Sequence, residues 1–434
     1  MHVSHILIAD DLTGGNDSGI HFAKVGIEAK MLVNPTRLSA EDFACLSAAP
    51  ADDPDILVLN TDTRNLQARD VPQRIRECLA FLGAAGKFDS GVAFKKIDST
   101  LRGNLGVEMD AIMDALGFEC AFLAPSYPQQ GRTVREGKLL VHGVPVHQTE
   151  FARDPLSPVR ESFIPRLLAA QSDRKSGLVP LDRVEAGPEA LEAAIRTLRT
   201  EGCSVIVFNA ESQEHLEAIA LAGLAQAIPP LFMGSAGLAK GLAGCLAAPA
   251  AAKAEKAASP QIKADDGKVR LFVCGSVSQV TRTQVKDLES APGVSLFLLP
   301  EGDADALREK KLAGDIALAL GQGPGILATP ALAYPQGTMS GQEDVASSLS
   351  RVAERILETL AVEPFTVTLF LTGGETALAL LNRLGILELR LEKELTPGIV
   401  LARVVDGSFN GMTVITKAGG FGSPDALRAL LPLV

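Results

Sequence analysis

Residues 91–117 read GVAFKKIDSTLRGNLGVEMDAIMDALG, and this stretch decides the fold class that the sequence predicts. Its apolar start, 92–94, predicts a buried strand, and the spacing of apolar residues over 107–116 predicts a helix. Between the two lie cations, a carboxylate, hydroxyls and an amide: Lys95, Lys96, Asp98, Ser99, Thr100, Arg102 and Asn104. A strand that ends in such a cluster and turns into a helix is typical of a ligand site in an open α/β sheet.

The start of the chain repeats this arrangement. Residues 3–9 predict a strand that runs into Asp10 and Asp11, and then into Gly14 and Gly15 at the start of a helix through Lys24. Glycine allows close approach of a ligand to the backbone, and a helix N-terminus favours an anion. The alternative is that the aspartates only cap the turn, although a cap needs one aspartate and residues 10–17 hold three.

Two further predicted strands end in polar loops. The strand 55–60 is followed by TDTRN (61–65), in which Arg64 can clamp a carboxylate with two hydrogen bonds. The alternative is a surface arginine paired with Asp62. The strand 119–124 leads into 125–134, where Arg132 and its neighbours offer donors, although a rigid connection explains this loop equally well. The proline-rich segment 139–165 predicts an irregular excursion over the sheet.

The pattern along the chain predicts two α/β domains with mainly parallel sheets and a ligand cleft between them. A chain of 434 residues is too long for one ordinary core. Alternating strands and helices resume near 189, but residues 246–268 are rich in alanine, lysine and proline and lose apolar periodicity. We therefore predict an N-terminal domain over 1–245, a linker over 246–268 and a C-terminal domain over 269–434.

The predicted C-terminal domain has glycine-containing turns after three strands, at 275–278, 372–376 and 417–422. Each turn can point backbone N–H groups at a phosphate at a helix N-terminus, and the last helix is predicted to start at Pro424. A tight turn would explain any one of them alone. A P-loop and a dinucleotide fingerprint are both absent from the sequence. The three turns together favour a nucleotide or polyphosphate site.

The amino-acid composition limits the kinds of partner that the protein is expected to bind. A net charge of −11 argues against a nucleic-acid surface, and the absence of tryptophan argues against base stacking. Six widely spaced cysteines suggest reduced thiols in a cytoplasmic protein. A signal peptide and an apolar run of membrane-spanning length are not recognised in the sequence, so no membrane partner is expected. An apolar helix face leaves a homodimer open.

The two predicted domains suit different ligands. Carboxylates, cations and hydroxyls at the N-terminal strand ends suit a small polyhydroxylated acid, and the C-terminal turns suit a nucleotide. This combination describes a small-molecule kinase, which works by positioning and charge neutralisation. The alternatives are a sugar-acid lyase or epimerase that uses Lys95 or Lys96, and a non-catalytic sugar-acid sensor. Both alternatives leave the glycine-rich turns without a role.

The motifs together resemble those of the four-carbon acid sugar kinase family. They are IADDLTGGND (8–17), TDTRN (61–65), KKIDSTLRGN (95–104), APSYPQQGRTV (124–134), CGSVS (274–278), TGGETA (372–377) and KAGGFG (417–422). The resemblance implies a sugar acid in the N-terminal domain, ATP in the C-terminal domain and Mg²⁺ with the ATP. The implied substrate contacts are Asp11, Arg64, Lys96, Asp98, Ser99 and Arg102. The implied nucleotide contacts are Ser276, Gly373, Gly374, Glu375, Thr376, Gly419, Gly420, Phe421 and Gly422.

The predicted reaction is transfer of the γ-phosphoryl group of ATP to the C4 hydroxyl of a tetronate. D-threonate is favoured, with D-erythronate and 3-oxo-tetronate as alternatives. Arg64 and Lys96 are the candidates for the acid group. Asp98 and Asp11 are the candidates for orienting or deprotonating the attacking hydroxyl, and the sequence does not choose between them. It indicates no ligands for the metal.

Overall fold

The computed structural model of the protein describes residues 4–38, 55–84, 91–154, 156–247, 269–300, 306–333, 345–360 and 363–432. The chain divides into two compact units, Met1–Lys256 and Ala257–Val434. The linker predicted over 246–268 lies outside the described residues from 248 onward.

The N-terminal unit is built on a parallel sheet. Its strands are β1 (His5–Ala9), β2 (Ala29–Leu32), β3 (Ile56–Asn60), β4 (Ala93–Lys96), β5 (Ala121–Ala124), β6 (Arg132–Arg135), β7 (Lys138–Val141), β8 (Val144–Pro145), β9 (Ser176–Val179), β10 (Val205–Phe208) and β11 (Leu231–Gly234). Its helices are α1 (Leu12–Lys24), α2 (Val71–Ala84), α3 (Leu105–Leu116), α4 (Ile164–Ala169), α5 (Leu181–Glu185), α6 (Pro188–Thr200), α7 (Gln213–Leu224) and α8 (Ala236–Leu246).

The strand order of this sheet is β2-β3-β1-β4-β11-β5-β10-β9, with every pairing parallel. Ile8 of β1 lies between Leu59 of β3 and Lys95 of β4. The strands are nearly continuous apolar runs because helices cover both faces of such a sheet. The chain leaves β1 towards β2 and β3 on one side and later crosses to β4 on the other. The carboxyl ends of β1 and β4 therefore flank a topological switch point, where ligands bind in open α/β sheets.

The C-terminal unit has a mixed sheet. Its strands are β12 (Val269–Cys274), β13 (Ser295–Leu298), β14 (Gly325–Ala328), β15 (Val367–Thr372), β16 (Glu388–Thr396), β17 (Ile399–Val404) and β18 (Thr413–Lys417). Its helices are α9 (Gln279–Glu289), α10 (Ala306–Leu320), α11 (Pro330–Ala333), α12 (Val345–Leu360) and α13 (Gly374–Arg383). The strand order is β13-β14-β12-β15-β18-β17-β16, parallel up to β18 and antiparallel beyond it. The mixed α/β class and the mainly parallel sheets predicted from the sequence are confirmed.

Several predicted elements need correction. The final helix expected from Pro424 is replaced by turns and a short 3₁₀ helix, Arg428–Leu430, because Pro432 follows too soon for an α-helix to form. The segment 139–165 is more regular than predicted, since β6, β7 and β8 form a small antiparallel sheet. The strands β2, β9 and β16 were not predicted. Within the described residues, no helix is both long enough and apolar enough to span a bilayer.

Candidate functional site

The carboxyl ends of β1 and β3 bring an arginine onto two aspartates. Arg64 donates from Nε to Asp10 Oδ2 over 2.8 Å and from Nη2 to Asp10 Oδ1 over 2.9 Å, and it also donates to Asp11. The predicted bidentate clamp therefore exists, but it holds a carboxylate of the protein. The surface pair with Asp62 is not formed, because Arg64 is turned inward and its side chain is only 14% exposed.

The charges around Asp10 fix its ionisation. Burial favours the neutral acid, but the nearby charges of Arg64, Lys95 and Lys96 outweigh it and hold the pKa of Asp10 below its ordinary value. Asp11 also caps α1, because its Oδ1 accepts from Gly14 N–H over 3.2 Å and its Oδ2 accepts from Thr13 Oγ1 over 2.6 Å. Capping and ion pairing are thus combined in Asp11.

The two lysines predicted to lie in the loop are the last residues of β4, and they point to opposite faces of the sheet. Lys95 is fully buried and forms an ion pair with Glu108 of α3, with 2.9 Å between Nζ and Oε2. Glu108 is also buried and accepts from Thr63 Oγ1. Burial raises the pKa of Glu108, although Lys95 opposes the shift.

Lys96 lies on the α1 side, beside the first turn of that helix. A Cβ added to Gly14 would lie 2.8 Å from Lys96 Nζ and 2.4 Å from Asp11 Oδ1, so the ammonium and the carboxylate occupy the same corner. Lys96 is 5% exposed and forms no ion pair with any residue in the described ranges. It is therefore a buried cation whose charge is available to a ligand.

The loop after β4 is organised by Asp98. Arg102 donates from Nε to Asp98 Oδ2 over 2.9 Å and from Nη2 to Oδ1 over 3.1 Å, and Thr100 donates through its hydroxyl and its backbone N–H. Burial alone would raise the pKa of Asp98, but the charges of Arg102 and Arg64 and these hydrogen bonds hold it well below its ordinary value. Asp154 accepts a further bond from Nη1 of Arg102 over 3.0 Å, so each nitrogen of that guanidinium donates to a carboxylate.

The same loop contains a non-glycine residue in the left-handed region, Leu101, with φ of 65°. This conformation costs about 1–3 kcal/mol and persists only where the surroundings impose it. Here the surroundings are the hydrogen bonds to Asp98 and the buried Leu101 side chain. Ser99 lies in this turn and is 8% exposed. The loop is therefore a rigid part of the cluster.

Arg132, the first residue of β6, is a further cation near this cluster. From the sequence, the segment 125–134 could equally well be part of a ligand site or a rigid connection. Arg132 donates from Nη1 to the backbone carbonyl of Gln130, while its buried Nε has no hydrogen-bond partner among the described residues. Burial lowers the pKa of Arg132, and Asp98 lies close enough to oppose the shift. The sequence signal for a role of Arg132 near the site was its position shortly after β5, a strand inside the sheet.

A cavity of about 460 Å³ adjoins the cluster through Arg64. Leu101 and Asn104 line one side of it, and residues 156–161 and 166–171 supply most of the remainder. Asp11, Lys96 and Asp98 are not in its lining. The cluster of strand-end charges and this cavity are thus neighbours and do not coincide.

In the C-terminal unit the three glycine-rich turns converge, because β12, β15 and β18 are adjacent in the sheet. Gly373, with φ of 98°, lies against Ser276, and a Cβ on Gly419 would come within 2.1 Å of Ser276 Oγ. A Cβ on Gly275 would meet Thr376 Oγ1 at 1.9 Å. Gly275 and Gly419 leave the space that the side chains of Thr376 and Ser276 occupy between the turns.

Two of the three turns lead into α-helices, and the third does not. The first leads into α9, capped by Ser278, and the second into α13, with Gly373 at its N-cap. The third does not lead into an α-helix, so the helix N-terminus expected after Gly422 is absent. Gly374 and Thr376 lie in the first turn of α13, and Glu375 is exposed there. Gly420 is exposed, and the Phe421 ring packs against Gly398.

Two family models match two parts of the chain. Residues 5–242 match the family model of a sugar-binding N-terminal domain, and residues 271–427 match that of a nucleotide-binding C-terminal domain. The D-threonate kinase of Salmonella typhimurium is 33% identical, covering 97% of this chain and 96% of its own. The D-erythronate kinase of Heliobacterium modesticaldum is 29% identical (97% and 94%), and the 3-oxo-tetronate kinase of Methylobacterium radiotolerans is 29% identical (98% and 98%). A crystal structure from Salmonella typhimurium shares the fold, with a TM-score of 0.76, 24% identity and 98% of both chains covered.

Proposed function

The chain belongs to the four-carbon acid sugar kinase family, and we propose that it transfers the γ-phosphoryl group of ATP to the C4 hydroxyl of D-threonate. Phosphorylation of a four-carbon sugar acid is the activity common to its curated relatives, and a D-threonate kinase is among the most similar of them. The observation that carries the proposal is the pairing of a charged strand-end cluster in one unit with three converging glycine-rich turns in the other.

In this proposal Lys96 receives the acid group of the substrate. Its side chain is buried and forms no ion pair within the described part of the chain, so its ammonium is available to an incoming carboxylate. Arg64 uses Nε and Nη2 on the two aspartates, which leaves Nη1 for the substrate. Arg64 therefore serves mainly to hold Asp10 and Asp11 in place. Ser99 and Arg102 stay in the proposed substrate loop.

Asp11 is the better candidate for orienting the attacking hydroxyl. The carboxylate of Asp98 accepts four hydrogen bonds and that of Asp11 accepts three. The strongly lowered pKa of Asp98 also makes it a poor proton acceptor. Asp11 is the more exposed of the two side chains, 18% against 12%, and lies beside Lys96. Phosphoryl transfer needs the nucleophile to be oriented more than deprotonated. We assign Asp98 to the positioning of Arg102.

The nucleotide is proposed to bind at the turns that contain Ser276, residues 373–376 and residues 419–422. Backbone N–H groups at the starts of α9 and α13 suit phosphate oxygens. Mg²⁺ usually takes one or two carboxylates together with the phosphates, and Glu375 is the acidic side chain that these turns offer. That donor set fits a metal held mainly by the nucleotide, whose charge would neutralise the phosphates during transfer.

The test is release of ADP from Mg-ATP in the presence of D-threonate, D-erythronate, L-threonate or a 3-oxo-tetronate. Turnover with D-threonate well above that with the other acids is the expected result. Preference for D-erythronate or a 3-oxo-tetronate would change the assigned substrate and leave the assigned reaction unchanged. No turnover with any acid, in folded protein that binds ATP, would contradict the substrate class. The lyase alternative is weakened because Lys95, one of its two candidate amines, is fully buried and paired.

A further inference from the structure

Lys417 ends β18 with its side chain inside the C-terminal unit, where it is 1% exposed. Its Nζ donates to the backbone carbonyls of Ala418 over 3.0 Å, Gly419 over 3.2 Å and Phe421 over 3.2 Å. Thr281 Oγ1 of α9 lies at 3.5 Å. Within the described ranges this ammonium forms no ion pair with a carboxylate. Burying a charge that only carbonyl dipoles compensate is costly. In this protein all three carbonyls that compensate the charge of Lys417 belong to one short loop, residues 418–421.

The carbonyls that bind Lys417 are also held from α9. Gly419 O accepts from Ser278 Oγ over 2.7 Å and from Thr281 Oγ1 over 3.0 Å. Gln284 Nε2 donates to Phe421 O over 3.0 Å. The acceptors of the loop are thus directed inward, towards Lys417 and α9. The backbone N–H groups of Gly419 and Gly420 have no acceptor in the described part of the chain.

This arrangement replaces a helix. The turns before α9 and α13 have helical N–H groups and a helix dipole to attract phosphate, but the third turn has only turns and a 3₁₀ helix behind it. Its shape depends instead on the bonds to its carbonyls. The same loop lies so close to Ser276 that Gly419 has no room for a side chain, so any movement of the loop would disturb the neighbouring turn.

We propose that Lys417 is a positioning residue that holds loop 418–421 with its carbonyls inward and its N–H groups free to bind the nucleotide phosphates. The inference rests on the proposed function and assigns a role that the predicted contacts do not include. Lys417 acts through the loop and does not itself reach the phosphates, because its three proton positions are used on carbonyl oxygens.

The role predicts a pH dependence, because burial lowers the pKa of Lys417 to about 8 from an ordinary 10.5. The groups that face it are neutral in this range: the Thr281 hydroxyl on α9, the paired Thr372 on β15, and the Cys274 thiol on β12, whose pKa burial raises to about 11. Above pH 8 the lysine loses its proton and its hold on the carbonyls weakens. Between pH 8 and 10.5 the unfolded chain binds more protons at this lysine, so its contribution to stability rises with pH and unfolding would not explain weaker binding of ATP.

The experiment compares Lys417→Met with Lys286→Met, which removes an exposed lysine from the last turn of α9. We expect Lys417→Met to raise KM for ATP roughly 10- to 100-fold while KM for the sugar acid stays within about twofold, as loss of charge-assisted hydrogen bonds would cause. We also expect KM for ATP to rise between about pH 7.5 and 9 in the wild type and in Lys286→Met, and to be flat in Lys417→Met.

An unchanged KM for ATP in folded Lys417→Met protein, or equal rises in both KM values, would overturn the inference. If that variant does not fold, Thr281→Val provides the test, since it removes one bond to the Gly419 carbonyl and should raise KM for ATP about two- to tenfold. Calorimetric binding of a non-hydrolysable ATP analogue separates the two proposals. ATP-analogue binding that depends on Lys417, without turnover of any acid, would contradict the proposed substrate class and keep the role of Lys417. Turnover of a sugar acid with analogue binding that does not depend on Lys417 would keep the proposed function and overturn the role of Lys417.

Discussion

At the scale of single residues, most charges of the N-terminal cluster are neutralised within the protein. Asp10 is paired with Arg64, and Lys95 is paired with Glu108. Such pairs add little net stability, because each ion loses its hydration on burial, but they cannot be broken one partner at a time. They hold the strand ends in a fixed arrangement, beside which Lys96 forms no ion pair within the described residues.

The first prediction concerns the Arg64 clamp. Arg64→Met should lower the free energy of unfolding by roughly 3–5 kcal/mol, because it leaves the buried Asp10 and the partly buried Asp11 without their arginine. Urea unfolding followed by circular dichroism measures the loss. The control is Arg64→Met combined with Asp10→Asn, which removes the stranded charge and should recover a large part of the stability. Equal losses in the single and the double variant would show that Arg64 contributes packing and not charge.

The sequence could place these residues at one edge but could not pair them. Asp11, Arg64 and Asp98 come after predicted parallel strands, and the carboxyl ends of neighbouring strands meet, so their proximity was predictable. The partner of Arg64 was not predictable, because Asp10 is 54 residues away and Asp62 is two. Strand order decides that choice, and sequence spacing does not report strand order.

The second prediction separates the two candidate aspartates. Asp11→Asn should lower kcat by about 10²- to 10⁴-fold with a smaller change in KM for the acid, as expected for loss of the group that orients the nucleophile. Asp98→Asn should mainly raise KM for the acid, because it loosens Arg102. Steady-state kinetics at saturating ATP gives both values. The reverse pattern would transfer the role to Asp98.

At the scale of elements, β4 and α1 show how a strand and a helix share a site. The predicted strand ended at residue 94, because Lys95 and Lys96 look like loop residues. The strand continues through Lys95 because its buried ammonium forms an ion pair with Glu108 of α3, which compensates the cost of burying a charged side chain in the sheet. The helix α1 begins at Leu12, two residues before the glycines at which its start was predicted, and its first turn brings Gly14 against Asp11 and Lys96.

The third prediction tests that contact. Gly14→Ala places a methyl group 2.4 Å from Asp11 Oδ1 and 2.8 Å from Lys96 Nζ, so both groups must move. We expect kcat/KM for the acid to fall by about tenfold or more, with KM for ATP unchanged, because small displacements of positioning groups cost rate. Steady-state kinetics with each substrate varied in turn measures both constants.

Gly244→Ala in α8 is the matched control for Gly14→Ala, because no atom lies within 4 Å of the added Cβ. It should leave kinetics unchanged and raise stability by about 0.5–1 kcal/mol through helix propensity alone. Normal kinetics in Gly14→Ala would show that the corner between Asp11 and Lys96 tolerates displacement, which would remove it from the proposed acid site.

At the scale of the whole molecule, the sequence predicted two α/β domains because the β/α alternation is interrupted by one stretch without periodicity. The α/β fold class could be predicted from the sequence because it depends on the local alternation of strand and helix patterns. The loss of the last helix was not, since the segment after Gly422 has a helical composition and is stopped by Pro432. The cleft between the domains, the exact domain boundaries and the homodimer remain predictions.

The fourth prediction comes from the division of ligands between two units. Because the proposed sugar-acid and nucleotide sites lie in different units, transfer requires them to be brought together, and closure would also exclude water from the phosphoryl group. We expect the small-angle scattering profile to change when D-threonate and a non-hydrolysable ATP analogue are both present, and to change less with either alone. Identical profiles in all four states, in protein shown by calorimetry to bind both ligands, would mean that the units need no rearrangement. In that case product release would not be limited by reopening, and kcat should be insensitive to solvent viscosity.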